Sequence, residues 1–500
     1  MKVIFRVDAS LLIGSGHVMR CLVLAEALRK KGHQVEFACS PLKGDMRTFI
    51  RERGFNVITL AAPQRVIEPQ HDADYEAWLQ KSVTEDAQDF LAAVNTADLV
   101  VTDHYAIDAE WQEKILAVVD CCLLAVDDLG RCHRADLVLD QTLGRSEVEY
   151  ASSNTKVLVG TEYALLRMDF SNKREAAISR QLSDGPLRVL VSMGGIDAPN
   201  ATLKVLKNLC CHVNADITVL LSPRAPHFQQ VNEWCFTQPN VRHQEFVSDM
   251  ASLMLEHDIA IGAPGTTSWE RACLGLPNII VPLAENQQLI CKQLVKHDAA
   301  VCVDIKDITS TLHGTYMRVI ERWSQFKEAN LALCDGRGVR RVVIEMEQLA
   351  SKKRDGVFLQ YASQEDIALI YEWQSHPDTR KYALTPNVPK WNEHQNWMSK
   401  KLQSTSDYFY MVINREDRSK VGAVRLDRLG AGHYLLSIFV DPNSYGRGIA
   451  FQALNAIDDI HPDVTLHATV LKANVASQRL FQKARYQQVD EESYIRQPID

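Results

Sequence analysis

The chain has 500 residues, which points to roughly three domains, and its formal net charge of -8 with no block of lysines or arginines argues against nucleic acid as the main partner. Its twelve cysteines contain no C-x-x-C and no Cys/His cluster at zinc spacing, so they read as reduced thiols and no metal is expected. No apolar run reaches the ~18 residues of a membrane span, and the opening MKVIFRVDAS breaks its apolar run with a charge, so a soluble, cytoplasmic protein with no membrane partner is expected.

The first element is a short strand, Lys2–Val7. It passes through a loop, Gly14-Ser15-Gly16-His17, into an amphipathic helix over Val18–Lys31. His17 at the helix start lies where exposed backbone N–H groups and the positive helix end favour an anion. Gly14 and Gly16 allow a ligand close to the backbone, and Asp8, Arg6 and Arg20 are near in sequence. A histidine there can take a proton beside a bound phosphate. A tight turn whose histidine caps the helix reads equally well.

Further strands follow at Gln34–Ala38, Asn56–Thr59, Leu99–Thr102, Cys122–Val126, Leu137–Leu139 and Lys156–Val159, separated by helical stretches. The alternation predicts a doubly wound parallel sheet. Ligands of such sheets bind at strand ends, which singles out Asp103-His104-Tyr105, Asp127-Asp128 and Asp140-Gln141, each of which also reads as a strand-end cap.

A second unit opens at Leu187–Ser192 and runs into Met193-Gly194-Gly195-Ile196-Asp197. Its strand Ile259–Ile261 leads to Gly265-Thr266-Thr267-Ser268-Trp269-Glu270. A Gly/Thr/Ser loop between a buried strand and a helix offers N–H and hydroxyl donors to a diphosphate, and Glu270 can accept from ribose hydroxyls. The strand Asn278–Pro282 ends in Glu285-Asn286-Gln287.

The charged, glycine-ended stretch Ser351–Gly356 reads as a linker, and every cysteine precedes it. Beyond it come a strand at Val357–Tyr361, a helical region with Trp373, Trp391, His394 and Trp397, and strands Tyr408–Asn414, Lys420–Leu426 and Tyr434–Val440. The turn Tyr445-Gly446-Arg447-Gly448-Ile449-Ala450 then enters a helix. This last part is α+β.

Arg6-x-Asp8-Ala9-Ser10 with Gly14-x-Gly16-His17-x-Met19-Arg20-Cys21 resembles the opening of the UDP-sugar hydrolases of pseudaminic acid biosynthesis, the PseG type, on a glycosyltransferase B-like fold. Asp103-x-Tyr105, Asp127-Asp128-Leu129, Asp140-Gln141, Gly194-Gly195-x-Asp197 and Trp269-Glu270-Arg271 fit the same family. The resemblance implies hydrolysis of UDP-2,4-diacetamido-2,4,6-trideoxy-β-L-altropyranose, with His17 at the anomeric carbon and Gly265, Thr266, Thr267, Ser268 and Glu270 holding UDP, helped by Gly194 and Gly195. Asp8 or a neighbour is expected to set the His17 tautomer. Gly16, Arg20, Tyr105, Asn286 and Gln287 are the remaining candidates for substrate.

The last part resembles the GNAT superfamily of N-acetyltransferases, and within it the PseH type, which acetylates the 4-amino group of a UDP-amino sugar. By that resemblance Phe439, Val440, Tyr445 to Ala450, Asn474 and Ser477 take acetyl-CoA, the expected co-substrate. The chain departs from the family at Tyr445, at Phe481, where a tyrosine is frequent, and at the glycine before the final aromatic, read as Ala484. The expected layout is therefore a Rossmann-like domain over 1–182, a UDP-binding Rossmann-like domain over 183–345, a linker over 346–356 and a GNAT domain over 357–500. Two alternatives stand beside this bifunctional reading: a UDP-sugar transferase using the same cleft, and a hydrolase regulated by a silent CoA-binding domain.

Overall fold

The computed structural model describes residues 1–71, 74–150, 155–351 and 355–499, the side chain of Asn286 excepted. The chain forms two compact units, residues 1–351 and 352–500.

Unit 1 holds two parallel sheets. The first comprises β1 (Lys2–Val7), β2 (Gln34–Cys39), β3 (Asn56–Thr59), β4 (Leu99–Asp103), β5 (Cys122–Val126), β6 (Leu137–Asp140) and β7 (Lys156–Val159), in the order β3-β2-β1-β4-β5-β6-β7. The second comprises β8 (Leu187–Ser192), β9 (Ala215–Leu220), β10 (Val241–Gln244), β11 (Ile259–Gly262), β12 (Asn278–Ile280) and β13 (Ala300–Cys302), in the order β10-β9-β8-β11-β12-β13. Apolar side chains alternate between the faces of each sheet, so both faces are buried under helices. Val3, Phe5 and Val7 enter one core and Ile4 another; Val189 and Val191 enter one and Leu190 another.

The strand order reverses at β1/β4 and again at β8/β11, and each reversal leaves a crevice at the carboxyl ends of the strands. Strands β10 and β13 escaped the sequence reading, since β10 is a short, mostly polar run and β13 is only three residues long. The first helix begins at Gly16, two residues earlier than its apolar pattern suggests, so His17 lies within its first turn.

The helix Gly338–Ala350 carries the chain back from the second sheet to the first. Its Val339, Val342, Val343 and Met346 complete the core that contains Phe5 and Phe37. Residues 346–350, expected to begin the linker, are thus the end of this helix, and Met346 is fully buried. Residues 352–354 of the expected linker lie outside the described residues.

Unit 2 is one sheet of β14 (Val357–Tyr361), β15 (Tyr408–Asn414), β16 (Lys420–Gly430), β17 (His433–Val440), β18 (Thr465–Thr469), β19 (Gln487–Gln488) and β20 (Ser493–Arg496), in the order β14-β15-β16-β17-β18-β20-β19. All its pairings are antiparallel except β17 with β18. The left-handed position before Tyr486 is held by Arg485 at φ 62°, and Ala484 at φ -79° is ordinary helix end. The family's glycine is therefore replaced at Arg485, one residue later than the sequence reading placed it. No helix among the described residues is long and apolar enough to cross a membrane.

A Cβ added at Gly338 would lie 2.3 Å from the Ala164 carbonyl oxygen, which is backbone and cannot swing aside. Gly338→Ala is expected to destabilise unit 1 by about 2 kcal/mol, seen as an earlier denaturant transition. An unchanged midpoint would mean that the returning helix is not seated against this backbone.

Candidate functional site

After β1 the chain is bent by Ser10. Its hydroxyl accepts from the N–H groups of Leu12 and Ile13 at 3.1 and 3.0 Å, and its carbonyl accepts from Gly14 N–H at 2.9 Å. Gly14 takes φ 79°, open to glycine at little cost. The turn delivers Gly16 and His17 to the helix start, which has no side-chain cap.

Asp103, the last residue of β4 and the register partner of Val7, lies beneath that start. His17 Nδ1 donates to Asp103 Oδ1 at 2.6 Å, so Nε2 is the basic nitrogen of the ring. Arg20, one turn on, donates from Nε and Nη2 to the two oxygens of Asp103, both at 2.6 Å, and from Nη1 to Asp128 at 3.0 Å. Burial opposes the charge of Asp103, yet Arg20 and His17 hold its carboxyl well below the usual carboxylate range. The Tyr105 ring meets His17 edge-on at 4.6 Å. Burial and the nearby Asp128 carboxylate push the Tyr105 phenol well above its ordinary value, so it is a neutral hydroxyl.

The tautomer partner of His17 is thus Asp103 and not Asp8. Asp8 is buried in a different network: it pairs with Arg6 at 2.8 Å and accepts from Ser40 N–H at 2.7 Å. Arg6 is bidentate on Asp86, whose Oδ1 also accepts from Trp111 Nε1 at 2.9 Å. This network ties β1 to the helix Val83–Ala93 and takes Asp8 out of the substrate candidates. Asp127 and Asp140 are also structural, joined through the Tyr150 hydroxyl at 3.1 and 2.7 Å.

Within unit 1 a cavity of about 210 Å³ opens where the two sheets' strand ends face each other. Of the expected residues, Gly16, His17, Arg20, Tyr105, Gly265, Thr266 and Gln287 line it. Trp78, Asp128, Gln141 and Trp269 line it as well. Trp78 carries no sequence signal beyond an aromatic in a short helix, where it packs on Tyr75 and Tyr105 with ring centroids 4.8 and 5.6 Å away. Two helix N-termini therefore border the cavity, at Gly16 and at Thr266.

Other expected nucleotide residues sit elsewhere. The Ser268 hydroxyl accepts from Gly265 N–H at 3.2 Å and from Arg271 at 3.1 Å, which makes it part of the helix start. Thr267, Gly194 and Gly195 do not line the cavity, although a Cβ on Gly195 would come within 3.9 Å of the Ser15 hydroxyl. The helix after that loop is closed to a phosphate, because Asp197 fills its N-terminus by accepting from Ala201 and Thr202 N–H, both at 2.8 Å. Glu270 is half-buried and off the cavity, and burial pushes its carboxyl up to about 7 against the pull of Arg271 and Arg167. The side chain of Asn286 lies outside the described residues.

In unit 2, β17 pairs with β18 only over His433–Leu435, and the strands then diverge. A pocket of about 880 Å³ occupies the gap. Phe439, Val440, Tyr445, Gly446, Gly448, Ile449, Ala450, Asn474 and Ser477 all line it, and Arg447 does not. Gly446 and Gly448 take φ 78° and 75°, and the helix Ile449–Ile460 starts without a side-chain cap. Gly448, Ile449 and Ala450 at its start line the pocket, and uncapped N–H groups at a helix start suit an anion. Phe481 also lines the pocket and brings no hydroxyl to it. Among the described residues no group of three or more His, Cys, Asp or Glu is placed to hold a metal ion.

Residues 357–487 match the acetyltransferase (GNAT) domain family, and residues 189–331 match the glycosyltransferase family 28 C-terminal domain. The chain is 22% identical to the uncharacterized protein MJ1062 of Methanocaldococcus jannaschii over 96% of each chain. It is 27% identical to the UDP-2,4-diacetamido-2,4,6-trideoxy-beta-L-altropyranose hydrolase of Campylobacter jejuni, over 51% of this chain and 82% of that one. The crystal structure of MurG from Acinetobacter baumannii shares the fold of 69% of this chain, over 99% of its own, with TM-score 0.50 and 17% identity. The chain is thus a homologue of the hydrolase carrying a fused GNAT domain, on a glycosyltransferase B-like fold.

Because the Asp103 carboxyl is depressed in the folded state, its stabilisation is present above the unfolded value of about 3.9 and fades as pH falls toward the folded one. Asp103→Asn is expected to cost about 3 kcal/mol at pH 7, since Arg20 loses a partner for its buried charge. Denaturant unfolding of the two proteins should show the difference narrowing below a pH of about 4. A difference independent of pH would show that the charge is not the source.

Proposed function

We propose that unit 1 hydrolyses UDP-2,4-diacetamido-2,4,6-trideoxy-β-L-altropyranose to UDP and free sugar with inversion. Unit 2 transfers acetyl from acetyl-CoA to the 4-amino group of the UDP-sugar precursor, in pseudaminic acid biosynthesis. Both substrates are small and soluble, and the protein is cytoplasmic. The observation that carries the reading is the His17 ring, held through Nδ1 by Asp103 with Nε2 basic, in a cavity bordered by two helix N-termini. The homology to the Campylobacter jejuni hydrolase supports the substrate.

UDP is a good leaving group, so the reaction needs an activated water and a neutralised diphosphate more than a strong general acid. Water attacks the anomeric carbon while Nε2 of His17 takes its proton. The C–O bond to the β-phosphate breaks, UDP leaves with the electron pair, and the imidazolium returns its proton to solvent. The N–H groups at Gly16 and Thr266 meet the departing charge. One displacement inverts the centre. The aromatic wall of Trp78, Tyr105 and Trp269 supports binding of the apolar faces of a deoxy, acetamido sugar.

In unit 2 the neutral amine attacks the thioester carbonyl, the C–S bond breaks, the CoA thiolate leaves with the electron pair, and the proton lost by the nitrogen passes to solvent. The N–H groups that open the helix at Ile449 take the pyrophosphate, and the edge of β17 freed by its divergence from β18 offers backbone partners to the acyl arm.

An ammonium in place of the 4-acetamido group would be desolvated without a partner in the hydrolase cavity. Full-length protein given the UDP-4-amino sugar is therefore expected to release UDP only when acetyl-CoA is present. His17→Ala should accumulate the acetylated nucleotide sugar, with release lowered roughly 100- to 10,000-fold. Equal UDP release with and without acetyl-CoA would remove the dependence of one step on the other. Near-normal release by His17→Ala would return His17 to a helix-capping role.

A further inference from the structure

We propose that Arg20 is a positioning residue that sets the proton state of the His17–Asp103 pair, a role that rests on His17 acting as base. The sequence alone suggests a substrate contact for Arg20. The structure spends its guanidinium elsewhere: the residue is 5% exposed, Nε and Nη2 grip both oxygens of Asp103, and Nη1 reaches Asp128.

Arg20 stands three residues after His17 on one helix, so both side chains descend the same face onto Asp103. With both carboxylate oxygens gripped, Asp103 cannot turn. Its Oδ1 stays at 2.6 Å from His17 Nδ1, which keeps the proton on Nδ1 and leaves Nε2 bare.

The charge matters as much as the geometry. When Nε2 takes a proton, the imidazolium faces a carboxylate in a buried site, and that attraction alone would hold the proton there. Arg20 places a positive charge 2.6 Å from the same oxygen and opposes it. The other groups facing this pair are Cys21 from the same helix, His104 and Tyr105 from the end of β4, and Asp128 from the end of β5. Burial pushes His104 down to about 4 and pushes the Cys21 thiol and the Tyr105 phenol up, so all three are neutral. Asp128 adds a second negative charge, and Arg20 is the cation that engages both carboxylates. A lysine carries the charge without the fork.

The test is the pH profile of UDP release from the diacetamido UDP-sugar by full-length Arg20→Gln, Arg20→Lys and Asp128→Asn. Nitrogen-15 NMR of the His17 ring is followed alongside, with its resonance assigned by loss in His17→Ala. Arg20→Gln should move the acid limb of kcat/KM up by about one pH unit or more, giving a loss of about tenfold on that limb that recovers at higher pH. The ring titration should move with it. Arg20→Lys should keep the limb near its wild-type place and lower kcat with little change in KM. Asp128→Asn should move the limb down.

A loss in Arg20→Gln that is equal at every pH, with an unmoved ring titration, would overturn the proposal. A rise in KM alone would restore the substrate contact in its place. If the glutamine variant does not fold, the opposed shift in Asp128→Asn and the ring titration of the lysine variant still decide. Retained hydrolysis in His17→Ala would instead sink the base assignment, and the ring titrations would report the electrostatics of the pair regardless.

Discussion

One buried carboxylate organises the first unit's site. Asp103 ends β4 beside Val7, at the point where strand order reverses, and is fully enclosed. A carboxylate there would be neutral unless paired, since desolvation penalises the charged form. His17 and Arg20 supply the pairing from a single helix turn. The dependence is mutual: a shift of the helix Gly16–Lys30 by one residue would pull both side chains off the carboxylate. Through Arg20 the constraint extends to Asp128, and from Asp128 to the environment of Tyr105, so four cavity-lining side chains, counting His17, are tied to one residue.

Backbone N–H groups left open at helix starts are the second theme. The unit 1 helices that follow Gly14, Gly194-Gly195 and Gly265 differ in what closes them. The one after Gly194-Gly195 is filled by its own Asp197, whereas those starting at Gly16 and Thr266 carry no acidic side chain in their first turn. The same physics recurs in unit 2, where Gly448 in the left-handed region turns the chain into a helix without a side-chain cap beside the divergence of β17 from β18. In each unit, open N–H groups border a cavity where a side-chain cap is missing.

Much of this was legible in the sequence. The apolar runs gave most strands to within a residue or two, the glycine turns marked His17, Gly265 and Gly446, and the charged stretch Ser351–Gly356 falls at the border of the two units. What escaped depends on pairing across long stretches of chain. Asp103 was visible as a strand end, but its contact with His17 requires β1 and β4 to be neighbours, and 86 residues separate the two. Asp8 is nearer in sequence and was preferred for that reason, yet strand pleat turns it toward Arg6 and Ser40. The helix Gly338–Ala350 reads as an ordinary amphipathic element, and nothing local says that its apolar face belongs to the first sheet. Trp78 lies on a short helix with no motif around it, so only the fold brings it to the cavity.

The central claim is a single displacement at the anomeric carbon by a water that His17 activates. Its most direct measurement is hydrolysis of the diacetamido UDP-sugar in oxygen-18 water, with the first-formed sugar and UDP followed by NMR. The account predicts oxygen-18 in the free sugar, none in UDP, and an inverted anomer appearing before mutarotation. Oxygen-18 on the β-phosphate of UDP, or a retained anomer, would contradict it.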